Sequence, residues 1–450
     1  MARCQVPAAQ VVSTLKKHIL ADGFHVIIDL EKSHGSFIHD AVTGKEILDF
    51  YSYFASLPVG HNHPKIVGDA EFLRALQLAT IANPANSDIY TTAYAGFVEA
   101  FARIAKPECF KYLFFVAGGA LAVENALKTA FDWKVRKNRA AGKGDLGTKI
   151  IHFREAFHGR SGYTMSLTNT DPVKTDAFPK FDWPRITNPK LTFPVTDEVR
   201  GQVIEAEKQA EREIEASFAK FPDDIAAIII EPIQGEGGDN HFRPEFFHAL
   251  RRLADAHDAL LIFDEVQTGV GLTGKMWAHE HFGVRPDIIA FGKKAQVCGI
   301  MVSDRIDDVP DNVFHVPGRI NSTWGGNLAD MVRGARYLEI IEEDSLVENA
   351  DRAGDHLLGG LTKIASEWLD VTNVRGRGLF VAFTLPSTKL RNDVRQTCWD
   401  LGLATLASGA TSIRFRPCLN VSGEEIDLGL GILRRALERH LPKRAEATNG

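Results

Sequence analysis

An acid and a lysine, each closing a short apolar run, have the clearest capacity for chemistry in this chain. Ala259-Leu260-Leu261-Ile262-Phe263 ends abruptly in Asp264, and Ile288-Ile289-Ala290-Phe291 leads through Gly292 to Lys293 and Lys294. Uninterrupted apolar runs of this length read as buried parallel strands, whose carboxyl ends deliver side chains into a crevice. Alone, Asp264 could cap a helix, and Lys293 could be a surface lysine beside Lys294. Delivered to one sheet edge, they form the pair that pyridoxal phosphate chemistry requires, an acid for the pyridinium nitrogen and a lysine for a Schiff base.

Other stretches supply what such a site would need. Phe115-Val116-Ala117-Gly118-Gly119-Ala120 reads as a strand, a glycine pair and a helix start, where free N–H groups can bind a phosphate. It is neither a Walker loop nor a GxGxxG fingerprint. Past the next strand, Phe157 or His158 could stack on a flat ring, and Arg160 could fork onto a carboxylate. Glu231-Pro232-Ile233-Gln234-Gly235-Glu236-Gly237-Gly238 reads as a site wall, with Glu236 free to move between its glycines. Asn321–Asn327 is a glycine-flanked polar loop that could offer a hydroxyl to a phosphate. Arg414 and Arg416 flank Phe415, and only one of them is expected to enter a site. His61 and His63 lack a third ligand and read as a helix-start loop, so no metal is expected.

The elements around these residues alternate strand and helix, the signature of an α/β protein with a mostly parallel sheet. Strands are expected at Tyr112–Val116, Ile150–Phe153, Ala226–Ile230, Leu260–Phe263 and Ile288–Phe291, and helices at Ala120–Arg136 and Glu205–Lys220. A large domain is placed at 65–328. A smaller α+β domain combines 1–64, opening with a helix over Ala8–Leu20 and a strand-like piece at Val26–Leu30, with 329–450. Residues 170–195 read as an ordered loop and Pro442–Gly450 as a frayed tail.

Across 450 residues, 44% are hydrophobic and 24% charged, the ordinary globular range. A net charge of -6 leaves no basic footprint, which counts against nucleic acid. Five scattered cysteines without CxxC spacing argue for a reducing compartment, hence the cytoplasm. No apolar run approaches a membrane span.

Taken in order, these pieces resemble the class III (ornithine/γ-aminobutyrate-type) aminotransferases, a fold-type I pyridoxal phosphate family, from about Ile47 through the last helix. Gly119–Asn125, Phe178–Arg185 and Phe291–Gly299 are similar to the branch that acts on the ε-amino group of L-lysine. The resemblance implies a large domain built on a mostly parallel seven-stranded sheet, beside the smaller α+β domain. It makes Lys293 the Schiff-base lysine and proton carrier, and Asp264 the partner of the ring nitrogen. Phe157 and Val266 would sandwich the ring, Gln267 would bond its phenolic oxygen, and Gly119 and Ala120 would hold the phosphate. Thr323 would reach the phosphate of the other subunit, which implies a homodimer.

The reaction it implies moves the ε-amino group of L-lysine to 2-oxoglutarate. Arg160 would hold the distal carboxylate of either substrate, and Asn321 would also contact substrate. Glu236 would pair with Arg414 while lysine is bound and swing away for 2-oxoglutarate, because an unpaired buried arginine is costly. Ornithine and γ-aminobutyrate aminotransferases are the nearest alternatives, since one methylene discriminates by only about 1–3 kcal/mol. An aminomutase or racemase on the same fold, or a regulator that merely retains it, are further alternatives. The chain departs from the family at Gly118 and Leu121, where serine and glutamate are usual. It also carries Lys294-Ala295-Gln296-Val297 in place of a glycine-rich run.

Overall fold

Aliphatic strands covered on both faces build the main sheet of the computed structural model, which describes residues 6–444. In chain order the strands are β1 Phe37–His39, β2 Glu46–Asp49, β3 Phe110–Val116, β4 Lys149–Phe153, β5 Arg185–Ile186, β6 Ile225–Ile230 and β7 Leu260–Asp264. They continue with β8 Ile288–Phe291, β9 Cys298–Ser303, β10 Thr372–Arg377, β11 Phe380–Thr384, β12 Leu403–Ala404, β13 Leu406–Ser408 and β14 Ser412–Phe415. The main sheet has seven strands in the order β3-β9-β8-β7-β6-β4-β5. β9 runs antiparallel to both neighbours, and all other neighbouring pairs are parallel. This is the mostly parallel seven-stranded α/β sheet that the resemblance implies.

The apolar runs are uninterrupted because alternate residues serve opposite faces. Ile288 and Ala290 join the cluster beneath the helix Gly119–Ala140, while Ile289 and Phe291 join the cluster on the other side. The larger of these side chains, Ile288, Ile289 and Phe291, each contribute roughly 1.5–3 kcal/mol when fully buried, so a polar residue on either face would be selected against by packing alone. Ala122, Val123, Ala126, Leu127, Ala130 and Trp133 form the buried stripe of that helix. It seats the helix with its first turn at the carboxyl end of β3.

The remaining strands lie apart from this sheet. β2 pairs antiparallel with β1 and parallel with β12, so the first fifty residues are joined to the last fifty. β10, β11, β14 and β13 form an antiparallel sheet in which Arg414 lies opposite Ala382 and Leu406.

Several expected boundaries shift for physical reasons. The helix expected over Ala8–Leu20 is only a 3-10 turn at Ala8–Gln10 and one short helix, Val11–Leu15. Leu15, Ile19 and Leu20 are exposed, so no packed face supports a longer one. Val26–Leu30 contributes one isolated bridge, Ile28 to Asp40, rather than a strand. The helix expected from Glu205 begins at Asp197, where the Thr196 hydroxyl accepts from the Val199 N–H and two acids occupy the first turn. β9 is unanticipated, because it follows the lysine pair after a tight reversal that puts Gly299 opposite Phe291. The last residues of the tail expected to fray, 445–450, lie outside the described residues. No helix among the described residues is long and apolar enough to cross a membrane.

Candidate active site

A cavity of about 560 Å³ opens where β4, β6, β7 and β8 end and the helix Gly119–Ala140 begins. Gly119, Ala120, Phe157, Arg160, Glu236, Asp264, Val266, Gln267, Lys293 and Arg414 all line it. Asn321 and Thr323 do not. Within one chain both are exposed; the Asn321 Oδ1 accepts from the Ser322 N–H at 2.7 Å, and the Thr323 carbonyl accepts from the Ser87 hydroxyl at 3.3 Å.

Asp264 is 5% exposed, yet both oxygens are satisfied: Oδ1 accepts from the Val266 N–H at 3.1 Å, and Oδ2 bonds His158 Nδ1 at 2.8 Å. Burial would pull the His158 pKa down, but the hydrogen bond and charge of Asp264 outweigh it and the pKa is raised. The sequence offers His158 only as a stacking residue, because nothing local tells that its ring turns toward an acid 106 positions away. Glu231, beside them, is pushed up to about 7 by burial, although it accepts from the N–H groups of Phe157 and Gly235.

The two lysines have separate fates. Lys293 sits at φ 50°, a left-handed conformation that is strained for a lysine, and its side chain lines the cavity. Burial first, then the charges of Arg414 and Arg416, lower its pKa to about 8. Lys294 is buried on another side, where its Nζ donates to the carbonyls of Ala55 at 3.0 Å and Leu57 at 3.2 Å. Gln296 Nε2 donates to the Ser56 carbonyl between them at 2.7 Å.

These three carbonyls follow a turn in which Ser52, Tyr53, Phe54 and Ala55 have φ of 39°, 52°, 59° and 70°. Left-handed backbone costs roughly 1–2 kcal/mol per residue, so the turn needs outside support. Lys294 and Gln296 supply donors, which gives a physical reason for Lys294-Ala295-Gln296 in place of a glycine-rich run. The same turn brings Phe54 into the cavity wall.

Burial lowers the Lys294 pKa from its ordinary 10.5 to about 7. Folding therefore disfavours the charged form; the burden is complete below about pH 7 and fades as pH rises toward 10.5. Across that window the stability of the wild type relative to Lys294→Met should rise. Urea midpoints of the two proteins at the ends of the window measure this, and a constant difference would refute it.

The cavity also fits a flat, phosphorylated pyridine. Gly118, at φ 101°, precedes a helix whose first turn has no side-chain cap and no acid, so its N–H groups and dipole are left for an anion. A Cβ on Gly119 would lie 2.9 Å from Val266 Cγ1, so the close approach of these two walls requires glycine. Gln267 Oε1 faces Arg414 NH1 at 3.3 Å and Arg416 NH2 at 3.2 Å. Guanidinium groups only donate, which fixes the amide orientation and leaves Nε2 as a donor for an oxygen in the cavity.

Only Arg414 of the pair Arg414 and Arg416 lines the cavity, as expected, but not because they point to opposite faces. Side chains two apart on a strand share a face, and both reach Gln267. Arg414 lines the cavity and bonds Glu236 Oε2 at 2.8 Å. Arg416 lies behind it, fully buried, paired with Asp239 at 2.8 Å and packed 3.4 Å from the centre of the Phe380 ring. Lys174, also unanticipated, lines the cavity and pairs with Glu236 Oε1. His61 hydrogen-bonds Asp49 at 3.0 Å.

Known proteins share this fold and much of this sequence. The profile of the family described as Aminotransferase class-III matches residues 20–437. A Mycobacterium tuberculosis protein named L-lysine-epsilon aminotransferase is 52% identical over 430 residues, covering 95% of each chain. One of the same name from Streptomyces clavuligerus is 48% identical over 95% of this chain and 93% of its own. A solved structure described as lysine aminotransferase from M. tuberculosis in the internal aldimine form superposes with a TM-score of 0.94, at 50% identity, over 96% of this chain and 100% of that one. Such agreement along almost the whole length, over a cavity that already suits the cofactor, makes the chain a member of the class-III aminotransferases, enzymes that depend on pyridoxal phosphate.

Proposed function

We propose that the protein transfers the ε-amino group of L-lysine to 2-oxoglutarate, giving L-glutamate and 2-aminoadipate 6-semialdehyde, which cyclises to an imine. The observation that carries this reading is the Glu236–Arg414 pair inside the cavity, with Arg160 at its exposed side. A terminal amine on a methylene chain leaves Arg414 without a carboxylate, and Glu236 fills that role. A 2-oxo acid brings its own carboxylate and competes for Arg414. Arg160, which has no ion-pair partner among the described residues, would take the far carboxylate of both substrates, and Asn321 would add a substrate contact. Relatives at 48–52% identity that carry the lysine name support the donor.

Pyridoxal phosphate, when bound, supplies an electron sink for the carbon that loses a proton. The chain would hold it through the N–H groups of Gly119 and Ala120 at the phosphate, Phe157 and Val266 at the ring, and Gln267 Nε2 at the phenolic oxygen. Asp264 would hold the ring nitrogen in its charged form, and His158 fixes the orientation of Asp264. Lys293 would hold the cofactor through its amine and carry the proton of the reacting carbon. A folded pKa of about 8 leaves part of its amine uncharged near neutrality, as a base and nucleophile must be.

We further propose a cytoplasmic homodimer in which exposed Thr323 completes the phosphate site of the partner subunit. The experiment that tests the function adds L-lysine, L-ornithine, γ-aminobutyrate and L-glutamate separately to the yellow enzyme and follows loss of the cofactor absorbance. Rapid loss with lysine and glutamate, and slow loss with ornithine, is expected. Preference for ornithine or γ-aminobutyrate would replace the donor, and a protein that no amine bleaches would overturn the reading.

A further inference from the structure

Glu236 carries two cations, and the Arg414 switch uses only one of them. Its Oε2 accepts from Arg414 at 2.8 Å, while its Oε1 accepts from Lys174 Nζ. Lys174 closes the 3-10 turn Pro172–Lys174, whose Asp171 side chain accepts from the Val173 N–H at 3.1 Å. Its Nζ lies 5.7 Å from the centre of the Phe157 ring, on the cavity side. Burial would raise the Glu236 pKa, but Arg414 and Lys174 together hold it below its usual range, so the carboxylate stays charged.

A carboxylate shared between two cations can give up one without being stranded. When a substrate carboxylate claims Arg414, a Glu236 with no other partner would have to remain unpaired in a largely buried wall or leave for water, and both are costly. With Oε1 already on Lys174, it needs only to pivot away from Arg414. Among the groups placed to meet substrate carboxylates, Arg160, Arg414 and Lys174 bring three positive charges against the three negative ones of a bound dicarboxylate and Glu236.

We propose that Lys174 is a positioning residue that retains Glu236 when Arg414 is released, and so favours the 2-oxo-acid half of the reaction over the amine half. This rests on the two-substrate reading of the site given above. Without Lys174, these carboxylate-facing groups hold one more negative charge than positive, and the Glu236–Arg414 pair competes more strongly with the incoming carboxylate.

The test compares wild type, Lys174→Met and Lys174→Arg as holoenzymes in single-turnover half-reactions. The amine half starts from the yellow form with L-lysine. The acceptor half starts from enzyme converted to its amine form by L-glutamate, washed, and mixed with 2-oxoglutarate. Lys174→Met should lose roughly tenfold in kcat/KM for the 2-oxoglutarate half, and clearly less in the lysine half, with Lys174→Arg restoring most of the difference. Equal losses in both halves, no loss in either, or failure of arginine to rescue would overturn the inference. A general weakening of the fold would move both halves together, so the split distinguishes positioning from stability. A wild type that reacts with 2-oxoglutarate but not with lysine would overturn the donor assignment alone, and the two variants would still decide the role of Lys174 in the acceptor half.

Discussion

Lys293→Ala should abolish transamination while leaving the protein folded. Its Nζ is the cavity amine expected to bind the cofactor and carry the proton, since Lys294 is committed to the carbonyls of Ala55 and Leu57 and Lys174 to Glu236. Losing the proton carrier alone is worth about 10²–10⁴-fold, and losing the covalent attachment adds to it. Stability should not suffer, because burial already disfavours the charged lysine and alanine removes that burden. Single-turnover loss of the cofactor absorbance with L-lysine measures the first part and a thermal scan the second. A loss smaller than tenfold would mean that another base does the work. A collapse of the melting transition would mean that Lys293 is structural.

Asp264→Asn should be the next most damaging change, at about 10²–10³-fold in the proton-transfer step. The substitution keeps size and hydrogen-bonding capacity but removes the negative charge that holds a ring nitrogen protonated. It should leave a second mark on His158, whose raised pKa depends on Asp264 against the pull of burial. In the variant, burial is opposed only by the more distant charge of Glu231, and the His158 pKa should fall. In the wild type, the stability from this pair is present below the ordinary histidine pKa and lost as pH rises through the raised one. The variant should lack that loss. Titration of the His158 ring signals by NMR, beside the rate, checks both expectations. An unchanged His158 pKa would show that Asp264 does not govern it.

Much of the site was legible because strand ends are legible. β4, β6, β7 and β8 must be apolar on both faces, so the first charged or glycine-rich residues after them mark the edge where a crevice forms. Asp264, Lys293, Glu236 and the Gly118–Gly119 turn were all found in this way, and the structure puts each of them, or its neighbour, at one cavity. β9 was not found, since its polar approach resembled more of the loop. Lys174 was not found either, because a lysine on a short turn in a proline-rich loop carries no pattern that separates it from a solvated one.

Residue types alone mark five of the seven main-sheet strands, their chemistry-bearing ends and the class of reaction, because burial on two faces and backbone freedom at glycine are local demands. The separate settings of Lys293 and Lys294 exist only in the tertiary structure, where a left-handed turn 239 positions from Lys294 offers carbonyls that need a donor. The tertiary structure alone turned His158 onto Asp264, set two arginines on one oxygen of Gln267, and gave Glu236 its second cation. Each of these is a meeting of polar groups remote along the chain, decided by distances of a few ångströms, and no periodicity in the sequence encodes such a distance.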